Sequence, residues 1–309
     1  MKLASIDFGD GAGIAVRAEG GALVPLRDVD PELPSDMRAL LERGPSALVE
    51  IERRASSVAT RIEPDLVRFL PVVPQPQAVW CAALNYRLHI EEGNWEAPDY
   101  PPLFLRVAES LCGHERPMIA PLASERLDYE GELAVVIGTR ARHVPESSAY
   151  EVIAGYSCFN DGSVRDWQRH TTQITSGKNF AATGGFGPWL TTRDEVPDIE
   201  SAQLTTTLNG KVMQQGKIGE LIFSIPRLVS YVSTMCELLP GDVIVTGTPG
   251  GVGARQDPPV FMHGGDTVDV EIDGVGVLSN PIVREVAPVS GRAPEVGVRQ
   301  LSPLRGDHA

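Results

Sequence analysis

The stretch LDYEGELAVVI at residues 127–137 decides the fold, because two carboxylates lead directly into the apolar run LAVVI. A strand that is covered on both faces carries such a run, whereas a strand with one wet face alternates. The sequence therefore predicts a buried strand at residues 132–137. Other predicted strands lie at residues 243–246, 267–272 and 275–278. The last two are joined by a tight turn at Asp273-Gly274, so the chain is predicted to be α+β and mostly β.

The residues ahead of this region predict a small N-terminal domain. Apolar residues on both sides of GDGAG, residues 9–13, favour a pair of strands, and helices are predicted at residues 36–43 and 47–61. The proline cluster PVVPQPQ at residues 71–77 excludes a helix interior and predicts a linker. The predicted units are a small N-terminal domain, a larger domain and a C-terminal tail, at residues 1–72, 73–287 and 288–309.

One amphipathic helix is predicted to begin after Ser224, whose hydroxyl can cap the first turn. Pro226 suits that turn, and Pro240-Gly241 predicts the end of the helix. Residues spaced for one helical face supply an apolar stripe, which supports the helix. The stripe consists of Ile225, Leu228, Val229, Val232 and Leu239.

The composition excludes two classes of function. The 27 basic and 41 acidic residues give a net charge of −14, so neither a nucleic-acid binder nor a polybasic membrane-surface protein is expected. No apolar run approaches the roughly 18 residues that a membrane span needs. The four cysteines are dispersed, which favours a reducing compartment and predicts a cytoplasmic protein. They are Cys81, Cys112, Cys158 and Cys236.

The first candidate site is the pair Glu130-x-Glu132 at the start of the decisive run. Both carboxylates point to the same face, because side chains alternate along a strand. Two charges this close repel unless a cation or a proton lies between them. An isolated pair is more commonly two solvated acids at a strand end. Asp161, which ends another apolar run, offers a third oxygen ligand, and three carboxylates suit Mg²⁺ or Mn²⁺ better than zinc.

The second candidate is His89-x-x-Glu92, within CAALNYRLHIEEGNW at residues 81–95. If this segment is helical, the two side chains share a face and Glu92 can orient the imidazole. A histidine backed by a carboxylate is a good general base near neutral pH. Taken alone, the histidine is equally compatible with an ordinary surface or packing residue.

Four cations are candidates for holding an anionic substrate, although solvation at the surface is their usual fate. They are Arg87, Arg106, Arg165 and Lys178. Lys178 lies in the polar stretch TTQITSGKNF, residues 171–180, where a loop can bring side chains together. Spacing along the chain does not by itself place these groups in one site.

Six motifs, taken in order, resemble those of the fumarylacetoacetate hydrolase family. They are CAALNYRLHIEE, LDYEGELAVVIG, GYSCFNDGSVRDWQ, SGKNF, LLPGDVIVTGTPGGVG and GDTVDVEIDGVGVLSNPI. The resemblance spans residues 75–287 and implies a mixed β-roll or barrel catalytic domain that forms a homodimer. It also implies Mg²⁺ or Mn²⁺ on Glu130, Glu132 and Asp161, and a dyad of His89 and Glu92 on a mobile lid.

The resemblance also implies roles for residues around the metal. Lys178 is expected to contact the reacting oxygen, while Arg165-Asp166 is expected to form an internal ion pair. The expected contacts to a small anionic 2-oxo acid are Arg87, Arg106, Gln168 and Thr248.

The reaction that the resemblance implies is metal-dependent hydrolysis of a C–C bond in an acylpyruvate-like or β-diketo acid, in aromatic-compound catabolism. The metal would hold the 2-oxo acid and stabilise its enolate, and His89 would activate water. The alternatives are an isomerase, tautomerase or decarboxylase of unsaturated 2-oxo-diacids, of the hydroxyhepta-dienedioate or oxaloacetate type, and a sugar-acid lyase or dehydratase. A non-catalytic metal-binding subunit is a remote alternative.

Three departures from the family pattern lie near the expected pocket. Arg106 and Val107 stand where many relatives have Lys-Pro, and residues 179–181 read NFA where relatives commonly read S-F-D. Arginine keeps the charge but not the geometry of an ammonium group. The third departure is IGELIF at residues 218–223 in place of T-x-x-M-I-F. These differences affect the substrate more than the metal site.

Overall fold

The computed structural model describes residues 1–287, and the tail predicted at residues 288–309 lies outside the described residues. The strands are β1 (Lys2–Asp7), β2 (Ala12–Arg17), β3 (Leu23–Pro25), β4 (Arg68–Phe69), β5 (Val79–Ala82), β6 (Leu103–Arg106), β7 (Leu111–Cys112), β8 (Met118–Ala120), β9 (Leu127–Asp128), β10 (Gly131–Ile137), β11 (Ile153–Asp161), β12 (Ser163–Val164), β13 (Gly184–Thr192), β14 (Gln203–Leu208), β15 (Lys211–Lys217), β16 (Val243–Val245), β17 (Thr267–Ile272) and β18 (Gly276–Arg284). The helices are α1 (Leu26–Val29), α2 (Met37–Leu41), α3 (Pro45–Ala55), α4 (Arg87–Gly93) and α5 (Ile225–Met235).

The decisive apolar run forms β10, at the centre of the larger sheet. The strand order is β3-β2-β1-β13-β11-β10-β16-β5-β6, with β4 added beside β1 and β7 beside β13. Every residue of β10 is buried, as the uninterrupted run predicts. Its antiparallel neighbour β11 is buried except at Ala154. The two strands that carry the candidate metal ligands therefore lie in the interior.

A second sheet packs beside the first, in the order β15-β14-β17-β18-β8. The predicted turn at Asp273-Gly274 joins β17 to β18, and Gly274 adopts the positive φ of 75° that such a turn favours. Within residues 1–287 both strand paths are open at their ends. The mixed, strand-rich α+β class is thus confirmed, but the sheets do not close into a barrel.

The N-terminal segment joins the larger sheet directly. Its strand β1 pairs with β13 through Lys2 opposite Thr191 and Leu3 opposite Leu190, and the two leucines are fully buried in one core. The predicted boundary at residue 72 therefore does not separate two sheets or two hydrophobic cores. Sequence reasoning missed this because the partner strand lies almost two hundred residues away.

The amphipathic helix forms as predicted at its start and ends earlier than predicted. The Ser224 hydroxyl accepts a hydrogen bond from the Arg227 amide at 3.3 Å, and Pro226 lies in the first turn. The helix ends at Met235, before Pro240-Gly241, because the chain turns out to form a backbone bridge between Leu238 and Ala141. Consequently, Leu239 lies beyond the helix.

The helix predicted at residues 47–61 is also shorter than expected. It becomes α3, which ends at Ala55, where the hydroxyls of Ser56 and Ser57 bond to the carbonyls three residues earlier. Such side-chain bonds compete with the continuing helix. Within the described residues, no helix has both the length and the apolar character that crossing a bilayer requires.

We expect Leu3→Ala to destabilise the whole protein, by about 2–5 kcal/mol, because it opens a cavity in the core that both segments share. Urea unfolding followed by tryptophan fluorescence tests this, because every tryptophan lies after residue 72. They are Trp80, Trp95, Trp167 and Trp189. A fluorescence midpoint equal to that of the wild type would mean that the N-terminal segment unfolds separately. Leu66→Ala, at a side chain that is 72% exposed, is the matched control.

Candidate metal centre and active site

Three carboxylates converge where β10 and β11 meet. The register places Gly131 opposite Asn160, and the amide of Asp161 donates to the carbonyl of Glu130 at 2.8 Å. Cross-strand pairing thus brings Asp161 beside the Glu130-x-Glu132 pair, and one oxygen of each lies within 4.8 Å of the others. All three residues are at least 95% buried. The spacing that the sequence suggested is therefore realised as a single cluster.

Lys178 neutralises part of this cluster from inside. Its ammonium lies 2.6 Å from Glu130 Oε2 and 2.5 Å from Asp161 Oδ2, and the side chain is 2% exposed. Burial alone would lower the pKa of Lys178, but Asp161 and Glu130 raise it, so the lysine is charged. The lysine therefore sits where the metal ligands meet.

Arg165 holds the same cluster from another side, and the predicted pairing with Asp166 is wrong. Its guanidinium contacts Asp128 Oδ2 and Glu130 Oε1, both at 2.7 Å. Asp166 instead accepts from Ser124 Oγ at 2.7 Å and caps a short turn at Trp167. Arg165 and Asp166 lie in a turn that follows β12, and the partners of Arg165 lie in the segment that runs from β9 into β10.

The opposing charges set the protonation of the cluster. Burial alone would raise the pKa of Glu130, but Lys178 and Arg165 outweigh it and hold that pKa at about 2. Burial, followed by the charges of Asp161 and Glu130, keeps the pKa of Glu132 well above its usual range. Glu132 is thus the carboxylate that lacks a compensating cation.

Arg106 lies behind Asp161 and not in the cavity. Its side chain is fully buried and reaches Asp161 Oδ1 at 2.5 Å and Thr183 Oγ1 at 2.9 Å. The side chain of Asn179 secures the strand end around it, because it accepts from the Val107 amide and donates to the Leu105 carbonyl. Arg106 and Asn179, which both depart from the family pattern, therefore stabilise the same region at the end of β6. The predicted substrate contact of Arg106 is replaced by a buried pair with a metal ligand.

The glycine-rich loop after β16, residues 247–253, supplies backbone amides to three acids. The amide of Gly247 donates to Glu132 at 2.5 Å, that of Gly251 to Glu92 at 2.7 Å, and that of Gly253 to Asp128 at 2.8 Å. A Cβ at Gly251 would lie 2.3 Å from the backbone oxygen of Met213, and one at Gly253 would lie 1.9 Å from that of Val260 and 2.6 Å from Asp128 Oδ1. The two glycines thus allow the loop to pack against neighbouring backbone, and Gly253 also allows it to approach Asp128.

Thr248 and its neighbour Gln214 fix the near side of the cavity. The Thr248 hydroxyl donates to the Gly131 carbonyl at 2.9 Å and accepts from Gln214 Nε2 at 2.8 Å. The Gln214 carbonyl oxygen accepts from the Gly131 amide at 3.0 Å. These bonds anchor the backbone between Glu130 and Glu132.

The predicted dyad forms on α4. His89 Nδ1 lies 2.7 Å from Glu92 Oε1, and the ring packs against the edge of Trp95 with centroids 5.3 Å apart. Because Nδ1 is engaged by the carboxylate and His89 lines the cavity, Nε2 is the nitrogen available to a substrate. The neighbouring Glu91 is exposed.

One cavity of about 700 Å³ joins the cluster and the dyad. The predicted site residues that line it are His89, Glu130, Glu132, Asp161, Gln168, Lys178 and Thr248. Arg87 and Arg106, both predicted substrate contacts, do not line it, since Arg87 faces solvent on α4 and Arg106 is enclosed. The cavity also contains residues that sequence reasoning did not select, notably Trp95, Arg169 and Arg255.

The donor set fits a hard divalent cation. All the available ligand atoms are carboxylate oxygens, which suits Mg²⁺ or Mn²⁺. Burial and the neighbouring acids disfavour the charged form of Glu132, and a bound cation would favour that form. The residues that would hold the ion are therefore Glu130, Glu132 and Asp161.

Comparison with known proteins agrees with this geometry. Residues 78–283 match the family described as Fumarylacetoacetate (FAA) hydrolase C-terminal. The chain belongs to the fumarylacetoacetate hydrolase family. It is 38% identical to the mitochondrial oxaloacetate tautomerase FAHD2A of Homo sapiens over 267 residues, which is 85% of each chain.

Two solved members of the fumarylacetoacetate hydrolase family share the fold. The 5-carboxymethyl-2-hydroxymuconate delta-isomerase of Mycobacterium smegmatis is 31% identical, with a TM-score of 0.73 over 93% of this chain and 100% of that one. The maleylpyruvate hydrolase of Sphingobium sp. SYK-6, in complex with manganese(II) and pyruvate, is 27% identical, with a TM-score of 0.77 over 93% and 100%. Tautomerase, isomerase and hydrolase activities therefore all occur among relatives, and all are enzymes.

Asp128 is the important residue that sequence reasoning missed. It is completely buried and accepts from Arg165 and from the amides of Tyr129, Gly253 and Ala254. The signal was present, because Asp128, Glu130 and Glu132 alternate at the period of a strand. That pattern marks all three acids as inward-facing.

We expect Glu132→Gln to lower Mn²⁺ affinity by about 100-fold or more, since it removes a ligand charge. Isothermal titration calorimetry with Mn²⁺ measures this. Glu151→Gln, at an exposed acid away from the cavity, is the control and should bind Mn²⁺ like the wild type. Unchanged affinity in the Glu132 variant would contradict the assigned ligand set.

The two glutamates should differ in their effect on the metal-free protein. Glu130→Gln breaks the pairs with Lys178 and Arg165, so we expect unfolding in urea with EDTA to show a loss of about 3–5 kcal/mol. Glu132→Gln replaces a carboxyl whose charged form the metal-free cluster disfavours, so it should leave stability unchanged or raise it. Equal losses of unfolding free energy in both variants would contradict the assignment of Lys178 and Arg165 as partners of Glu130 and not of Glu132.

Proposed function

We propose that this protein is a Mg²⁺- or Mn²⁺-dependent tautomerase of a small 2-oxo diacid of the oxaloacetate type. The observation that carries the proposal is the buried cluster of Glu130, Glu132 and Asp161 with Lys178 at its centre, open to a cavity that also contains His89. The 38% identity to an oxaloacetate tautomerase supports it. The tautomerase was an alternative in the prediction from sequence, and the relatives now favour it.

The charge of the site suits an anionic substrate once a divalent cation is present. Four buried acids face three buried cations, which leaves one negative charge that a divalent ion would convert to a positive one. A 2-oxo carboxylate is then attracted into the cavity. The acids are Asp128, Glu130, Glu132 and Asp161, and the cations are Arg106, Arg165 and Lys178.

The residues around the cluster provide the proton route for tautomerisation. A bound divalent ion would supply Lewis-acid stabilisation of the enolate. His89 Nε2 takes the proton from C3 of the keto form, and Glu92 stabilises the imidazolium through Nδ1. Lys178 can donate a hydrogen bond to the oxygen that gains negative charge. Transfer of the proton held by the His89 imidazolium to that oxygen, directly or through water, completes the enol and returns His89 to its neutral form. Every step is reversible, so the same residues serve both directions.

A C–C hydrolase is the second candidate, and the cavity volume favours it. A volume of about 700 Å³ exceeds what a four-carbon diacid occupies, so an acylpyruvate with a longer acyl group has room. The same His89 would then take a proton from water, and a divalent ion held by the cluster would stabilise the enolate released on C–C cleavage. The manganese and pyruvate complex of a maleylpyruvate hydrolase supports this candidate.

Other properties remain part of the proposal. The substrate partner is a small anionic 2-oxo acid, the assembly is a homodimer, and no nucleic-acid or membrane partner is proposed. The dispersed cysteines support a cytoplasmic location, although the human relative is named as mitochondrial. Decarboxylation, a sugar-acid lyase reaction, aromatic-compound catabolism and a non-catalytic role remain predictions from sequence.

We expect the wild type with Mn²⁺ to accelerate solvent deuterium exchange at C3 of oxaloacetate, measured by NMR, and EDTA to abolish the acceleration. His89→Ala should lose about 10²–10⁴-fold in rate while it retains Mn²⁺ affinity, because it removes the base but no ligand. Glu91→Gln, on the exposed face of the same helix, is the control. Normal exchange in the His89 variant would remove the dyad from the mechanism.

The same NMR experiment with acylpyruvates as substrates distinguishes the C–C hydrolase from the tautomerase. Release of pyruvate and a free acid that requires metal would favour the C–C hydrolase. Exchange without release of an acid would favour the tautomerase.

A further inference from the structure

The cavity is lined by arginines as well as by the acids of the metal site. The only acids that line it within the described residues are Glu130, Glu132 and Asp161, at the metal end. Two exposed arginines, Arg169 and Arg255, line the same cavity. On a chain with a net charge of −14, guanidinium groups that line a cavity and lack an ion pair in the part of the chain that the structure describes favour the binding of an anion there.

The loop and the helix of the active site hold Arg255 in place. Its guanidinium lies 4.9 Å from the ring centroid of Trp95, a cation–π contact that orients the side chain. The adjoining amides of Gly253 and Ala254 donate to the buried Asp128, which fixes the backbone before it. Trp95 packs over the end of α4 because Gly93 has no side chain, and a Cβ there would lie 2.0 Å from the indole.

Neither arginine has an ionic partner among residues 1–287. The ion pairs of the neighbouring Arg165 lie within the metal cluster, whereas no carboxylate approaches Arg169 or Arg255 within 4 Å in the described chain. Arg169 follows Gln168 on a short turn at the cavity wall. Both guanidinium groups therefore keep their hydrogen-bond donors free for a ligand.

We propose that Arg255, together with Arg169, forms a subsite for a distal carboxylate and makes the cavity selective for 2-oxo diacids over 2-oxo monoacids. The identity of the proximal 2-oxo acid rests on the proposed function, whereas the subsite rests on the arginines themselves. The ligand spans the cavity, with its 2-oxo carboxylate at the metal end and its second carboxylate at the guanidinium groups. Because Arg255 contacts Trp95, and Trp95 contacts His89, the distal carboxylate also lies next to the wall that positions the base.

Two ligands of equal chain length test the subsite without turnover. Calorimetry on the Mn²⁺-loaded protein compares 2-oxoglutarate with 2-oxopentanoate, which has a methyl group in place of the distal carboxylate. The wild type should bind 2-oxoglutarate at least about tenfold more tightly, the size expected for a charge-assisted hydrogen bond. Arg255→Gln should remove most of this preference, and Arg169→Gln part of it, through weaker binding of the diacid alone.

Two further variants show that the effect is local. Arg255→Lys keeps the charge and should recover part of the preference, since a lysine lacks the planar fork of arginine. Arg142→Gln, at an exposed arginine outside the cavity, should behave like the wild type. Mn²⁺ affinity should be unchanged in all four variants.

The outcomes separate this subsite from the proposed tautomerase. Equal affinities of the wild type for both ligands, or an equal loss for both in Arg255→Gln, would overturn the subsite whatever the enzyme catalyses. A diacid preference that depends on Arg255, found in a protein without oxaloacetate exchange, would support the subsite and overturn the tautomerase.

Discussion

The buried charge cluster on β10 and β11 is the constraint on which the site depends. Carboxylates cannot remain ionised in an interior without cations close by, because the loss of hydration costs several kcal/mol per ion. Arg106 and Lys178 meet Asp161 from two sides, and Arg165 joins Glu130 to Asp128. Among the described residues, the arrangement leaves Glu132 without a cation beside it. A divalent ion bound by the three carboxylates would supply that positive charge. The central strands thus specify the metal centre by charge as well as by position.

The glycine-rich loop connects that cluster to the dyad. Its amides bind the metal-site acid Glu132, the dyad acid Glu92 and the anchor Asp128, so three elements that are far apart in sequence share one support. Taken alone, residues 247–253 resemble a turn at a strand end, and the position is indeed a strand end. The structure adds that side chains of β10 and α4 accept hydrogen bonds from the loop backbone, so the glycines allow one loop to contact both elements. A displacement of this loop would therefore move the metal ligand Glu132 and the Glu92 partner of His89 together.

Sequence reasoning succeeded where an interaction follows from local periodicity and failed where it requires a distant partner. The spacing of Glu130 and Glu132, and of His89 and Glu92, gave the correct shared faces because strands and helices repeat regularly. The pairing of Arg165 was missed because its partners, Asp128 and Glu130, lie far from it in the sequence, in the segment that runs from β9 into β10. The pairing of β1 with β13 was missed for the same reason, since nothing in the sequence near Leu3 indicates that it pairs with Leu190.

Arg255 and Arg169 help to distinguish the two proposed reactions. A tautomerase and a C–C hydrolase of 2-oxo acids need the same enolate, and therefore the same cluster of Glu130, Glu132 and Asp161, so the metal end cannot distinguish them. The two reactions differ in what lies beyond C3: a second carboxylate for the tautomerase, and an acyl group with an attacking water for the hydrolase. A cavity wall that carries Arg255 and Arg169 suits the first of these, because a guanidinium gains more from a carboxylate than from an alkyl chain. The free volume suits the second. A longer diacid satisfies both requirements, since it fills the cavity and still presents a carboxylate to the arginines, and the structure therefore directs the search for a substrate toward extended 2-oxo diacids.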